Sequence, residues 1–118
     1  MKNILIITII LFTISCGSKN INILENKSFL FTENKNITIS FDKEKVFGFS
    51  GVNYFMGFYK ISKNNITFKD IVTTMMAGKI KDMSNEDTFL KNLNNSNKFY
   101  LENDTLFLGD KLIFKEDK

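Results

Sequence analysis

With no His and a single Cys in 118 residues, the chain has few side chains that could do chemistry. Imidazole, the commonest general base and zinc ligand, is missing, and thiol chemistry is confined to Cys16. Carboxylates occur in pairs, Asp42 with Glu44, Glu86 with Asp87, and Glu116 with Asp117. Each pair is expected at a turn, a helix start or the terminus, where a solvated charge is the structural use of an acid. No catalytic residue, metal site or cofactor is therefore assigned. The glycines of Gly48-Phe49-Ser50-Gly51 precede strand-like residues and not a helix, so they read as a turn or bulge and not as a phosphate cradle.

Cys16 has a use outside catalysis. Lys2 precedes an apolar run from Ile4 to Phe12, which leads into Thr13-Ile14-Ser15-Cys16, the order of a signal peptide. At ~1.5 Å per residue the run falls well short of the ~30 Å hydrocarbon core, which argues against a permanent span. Ile14-Ser15-Cys16 resembles a bacterial lipobox, with Thr13 where Leu is usual. Residues 1–15 are expected to be the signal peptide, and Cys16 the acylated N-terminus of the processed chain. Residues 16–27 would be a lipidated tether, flexible from Gly17 to about Asn22, and 28–118 one domain. An ordinary secretory signal with an incidental Cys16 is the alternative.

All sixteen basic residues are Lys, against thirteen acids, and they are spread along the chain. Nucleic-acid binders concentrate their charge and use Arg, so no nucleic-acid partner is expected. The interleaved Tyr54, Phe55, Phe58, Tyr59 and Lys60 read as a strand and not as a base-stacking platform. The expected partners are the membrane, through the lipid anchor, and an envelope protein. No small-molecule substrate is inferred.

The elements that must position these residues are mostly short strands. Asn36 to Phe41 alternates with period two, and Thr105–Leu108 and Leu112–Phe114 flank the turn signal Gly109-Asp110, which predicts a hairpin. Further strands are predicted over 28–32, 45–50, 54–61, 65–69, 71–75 and 98–102. One helix is predicted at about 84–94, with Ser84 as N-cap, acids in its first turn and Phe89, Leu90 and Leu93 on one face. It should close one side or end of the sheet. Phe29 to Phe114 holds twelve of the thirteen Phe and all three Tyr, enough for a core without staples.

Gly51-Val52-Asn53-Tyr54-Phe55-Met56-Gly57-Phe58-Tyr59 resembles the G-C-N-x-F-x-G-x-Y signature of the META domain (HslJ-like) family, matching at Gly51, Asn53, Phe55, Gly57 and Tyr59. Thr74-Met75-Met76-Ala77 resembles that family's T-x-M-A element at Thr74, Met76 and Ala77. Glu86, Phe89, Leu90 and Leu93 resemble its helix, and Leu106, Leu108 and Phe114 its closing hairpin. The resemblance implies an α+β fold, a curved, mostly antiparallel sheet forming a half-barrel or open barrel with one short helix. It further implies no enzymatic activity and a link to envelope stress and novobiocin tolerance, with a fold like that of secretin pilot lipoproteins. Val52 and Gly78 stand where the family often has two Cys, which suggests that these positions are neighbours and that no covalent pair forms here.

The signature residues also have physical uses of their own: Asn53 in a turn, Gly57 where another element approaches, and Tyr59 as a buried ring with a paired hydroxyl. Period two puts Phe55, Gly57, Tyr59 and Ile61 on one side of their strand, expected to face the core. Tyr54, Met56, Phe58 and Lys60 fall on the other. The family commonly has small or polar residues at the latter positions. Tyr54, Met56 and Phe58 are then either covered by the helix or the N-terminal segment, or form an exposed binding face.

Overall fold

The computed structural model describes residues 21–118. The expected signal peptide, Cys16 and residues 17–20 of the expected tether lie outside the described residues. Eight strands and one helix follow in the order β1 (Lys27–Phe31), β2 (Thr38–Phe41), β3 (Lys45–Phe49), β4 (Tyr54–Ser62), β5 (Asn65–Thr73), α1 (Ile80–Asn95), β6 (Phe99–Glu102), β7 (Thr105–Leu108) and β8 (Leu112–Glu116). They form one antiparallel sheet in the order β5-β4-β3-β2-β1-β8-β7-β6, so the first and last strands pair at its centre, Phe31 opposite Phe114.

The sheet curls until its edges meet at one end. Asn65 bridges to Lys98, and the Ile66 and Phe99 amides donate across the seam to Asn97 and Asn64. Elsewhere the barrel stays open, and α1 lies against β5 and β8. Phe89 and Leu93 of the helix are buried with the concave face of the sheet. The Phe89 ring centre lies 5.5 Å from Phe31, 6.0 Å from Phe55 and 6.2 Å from Phe114, so aromatic packing ties the helix to strands far apart in sequence.

Three boundaries differ from the sequence reading. The helix begins at Ile80, a turn before Ser84, whose hydroxyl does not cap it; Lys79 precedes the helix without a side-chain cap. Half-buried Met83 extends the inward stripe by one turn, and Asp82 supplies the acid that an uncapped N-terminus favours. The strands expected over 65–69 and 71–75 are one strand, β5, bulged at Asp70, whose φ of 56° is left-handed. The domain is entered before 28: Leu24 is fully buried, and Asn22, expected to be flexible, accepts from the Leu24 amide and donates through Nδ2 to the Tyr59 hydroxyl at 2.7 Å.

Candidate functional site

Between β3 and β4 the chain turns through Ser50 to Asn53, with Gly51 at φ 121°, a conformation natural to glycine. The turn directs the Val52 and Asn53 amides toward the helix, where both donate to Oε2 of Glu86, at 3.1 and 2.7 Å. Ser50 Oγ lies 2.5 Å from the same oxygen and 2.9 Å from the Asn53 carbonyl. A hydroxyl has one proton for these two acceptors, and the charged one is the stronger claimant. Oε1 of Glu86 accepts from Asn53 Nδ2 at 2.8 Å.

Asn53 is buried, and its other face holds the segment after β5. Its Oδ1 accepts from the Met76 amide at 2.6 Å and from the Thr74 hydroxyl at 2.8 Å, while Nδ2 also donates to the Met76 carbonyl at 3.3 Å. Thr74 Oγ1 in turn accepts from the Tyr54 amide. The signature and the T-x-M-A element are therefore joined through one asparagine, and the helix is joined to both through Glu86. Met76 and Ala77 are exposed and contribute backbone or nothing to the network.

Glu86 was expected to be a solvated acid; it is buried. Burial pushes its carboxyl up, but the donors from Ser50, from the Asn53 side chain and from the Asn53 and Val52 amides outweigh that and hold it below the ordinary carboxylate range. A carboxylate held charged, with both oxygens accepting from its own chain, is suited to fixing a turn against a helix and poorly suited to moving protons. Asp87 beside it is exposed, as are Asp42, Glu44 and Asp117.

The remaining signature residues lie along β4. Phe55 is buried beside Phe89. Gly57 sits under the β5 bulge: a Cβ there would lie 2.5 Å from Ile71 Cδ1 and 3.0 Å from the Lys69 carbonyl. Tyr59 is buried with its ring 5.0 Å from Phe41, and its hydroxyl donates to the Asp42 carbonyl; burial, above all, holds the phenol above its usual pKa. Val52 and Gly78 are neighbours, since a Cβ on Gly78 would stand 3.0 Å from a Val52 methyl.

On the outer side of β4, Tyr54, Met56 and Phe58 are 61, 56 and 46 % exposed, so neither the helix nor the described N-terminal residues cover them. Phe47, Met56 and Val72 stand opposite one another across β3, β4 and β5. With Phe58 they line a shallow groove of about 330 Å³. Among the described residues, no helix is long and apolar enough to cross a membrane.

A family model described as "META domain" matches residues 18–117. Among solved structures, an NMR structure of a protein from Burkholderia xenovorans superimposes with a TM-score of 0.62 at 20% identity, covering 80% of this chain and 83% of that one. A second NMR structure gives 0.61 at 23% identity, covering 78% of this chain and 90% of its own. At these identities the likeness is one of fold. No curated protein matches the chain.

Proposed function

As the chain belongs to the META domain family, we propose that it is a non-enzymatic, membrane-anchored module of the bacterial envelope, acting in envelope maintenance or the stress response. The observation that carries the reading is the inward turn of the family signature. Asn53, Glu86, Thr74 and Ser50 spend their polar atoms on one another and on backbone, and Phe55 and Tyr59 lie in the core. A signature that holds a fold is what a binding or structural module needs.

The basic residue, short apolar run and Ile14-Ser15-Cys16 ending support membrane anchoring, from the periplasmic side or at the cell surface. Fractionating cells that make the wild type and Cys16→Ser tests this. The wild type should sediment with membranes, and the variant should be released or left unprocessed. Normally cleaved wild-type protein with a free Cys16, or cleavage at another site, would overturn the anchored reading.

A second reading, a pilot-like chaperone for a lipid tail or partner peptide, is favoured by the groove beside Met56. The concave side is packed by Phe29, Phe41, Phe55 and Phe89. Such a ligand would therefore bind outside the barrel. Recovery of a bound lipid or peptide with the protein, lost in Met56→Ser with Phe58→Ser, distinguishes this reading.

A further inference from the structure

We propose that the outer face of β3–β5 lies on an anionic lipid surface, with Phe47, Met56, Phe58 and Val72 entering the interface and Lys45, Lys60 and Lys69 meeting the headgroups. This rests on the membrane-anchored reading and adds to it which side of the domain the membrane contacts.

Charge and apolar surface occur together on this face. Phe58 is flanked in register by Lys45 on β3 and Lys69 on β5, and Lys60 follows it on the same side of β4. Phe47, Met56, Phe58 and Val72 are all 44 % exposed or more. Scattered exposed apolar residues need no explanation, but four that adjoin across three strands form a patch. Aromatic and Met side chains beside lysines, whose methylene stems lie along apolar surface while their charges reach outward, suit the boundary between acyl chains and anionic headgroups. Asp70 is the carboxylate lining the groove.

The chain enters the domain near the same end of β4, although Asn22 bonds the Tyr59 hydroxyl from the inner side of the sheet. Asn22 is held by the Tyr59 hydroxyl and the Lys43 carbonyl, one residue along β4 from Phe58. From Cys16 to Asn22 the chain can span at most ~20 Å, and Met56 lies about 10 Å along the strand from Tyr59. An anchor at Cys16 thus keeps this end of β4 at the bilayer. Exposed Ile21 beside Lys60 adds apolar surface at the point of entry. A second copy fits less well, because an isologous pairing through this face would bring two sets of Lys45, Lys60 and Lys69 together.

The chain has no Trp, so one introduced Trp reports on one place. Full-chain protein isolated from its membranes, carrying Met56→Trp or, on exposed Tyr100 of β6, Tyr100→Trp, is reconstituted into phosphatidylglycerol–phosphatidylethanolamine or phosphatidylcholine vesicles containing brominated lipid. The Trp at 56 should shift to the blue and be quenched in the anionic vesicles, more than in the neutral ones, while the Trp at 100 stays in water. Lys45→Gln with Lys69→Gln should move the docking equilibrium on the order of tenfold toward the unquenched state, with thermal stability unchanged because both lysines are exposed. Equal quenching at 56 and 100, with the protein still bound to the vesicles, would overturn the docking face and leave the anchored reading standing. A soluble wild type on cell fractionation would instead remove the anchor. A blue-shifted Trp at 56 in a dimer without vesicles would assign the face to a second copy and overturn the proposal.

Discussion

Asn53 and Glu86 fix each other's chemistry. The Met76 amide, 2.6 Å away, requires an acceptor at Asn53 Oδ1, so Nδ2 must face the helix. There Oε1 of Glu86 accepts it at 2.8 Å, while Oε2 accepts the Val52 and Asn53 amides. Both outer atoms of residue 86 must accept, which a carboxylate does and an amide does not. However Gln is turned at position 86, an N–H meets an N–H.

Glu86→Gln should therefore cost ~1–3 kcal/mol in urea unfolding, despite its nearly equal size. With Asn53→Ala, a double-mutant cycle should give a coupling of ~1–3 kcal/mol. An additive pair would mean that the two residues are held independently.

The acid limb of stability should carry the mark of Glu86. Its folded pKa lies below that of an unfolded Glu, ~4.3, so its contribution is full above that value and is lost as pH falls through the folded one. Stability should show no loss from this group between pH ~7 and ~5 and fall below ~4. Asp104, lowered by Lys115, has the same sign, so Glu86→Gln should flatten that limb without abolishing it. Unfolding midpoints against pH for both proteins decide the matter.

At Gly57 the limit is space. Gly57→Ala puts a carbon 3.0 Å from the Lys69 carbonyl and closer still to Ile71, where β5 bulges over β4. Gly57→Val adds two more and should lower stability by more than ~1 kcal/mol, Gly57→Ala by less. If Gly57→Val kept its thermal midpoint but lost membrane or partner association, residue 57 would belong to a binding face.

The sequence revealed what depends on near neighbours. Alternation in 54–61 told inside from outside correctly, and Gly109-Asp110 marked the last hairpin. The start of the helix was hidden because Lys79 offers no cap and Ser84, one turn on, imitates one. Asp70 in the middle of β5 carried a turn signal that the strand absorbs as a bulge. Glu86 was legible as a helix residue but not as a hydrogen-bonded one, since its donors lie 33–36 residues away on another element. Its spacing three, four and seven residues before Phe89, Leu90 and Leu93 sets Glu86, unlike Asp87, on the inward face of the helix. The groups that hold a carboxylate there, in the turn at Ser50–Asn53, are not readable from its neighbours in the chain.

The neighbourhood of Val52 and Gly78 allows a covalent test of the loop that the Asn53 network holds. A Cβ on Gly78 would lie 3.7 Å from that of Val52, within the ~3.5–4.5 Å that a disulfide spans. Gly78 lies outside the left-handed region, so a side chain costs no backbone strain there. The Val52 methyls, at 3.0 and 3.1 Å, are what would crowd it. Gly78→Cys alone should lower stability modestly, and adding Val52→Cys removes those methyls and supplies the second sulfur. In a Cys16→Ser background, which leaves two thiols, mild oxidation should close a loop of roughly 26 residues and stabilise the domain by about 3 kcal/mol. Reductant should return the midpoint to near that of the parent. A double variant that stays reduced under oxidant, or that melts lower when oxidised, would show that the segment from Thr74 to Lys79 does not rest against the turn as described.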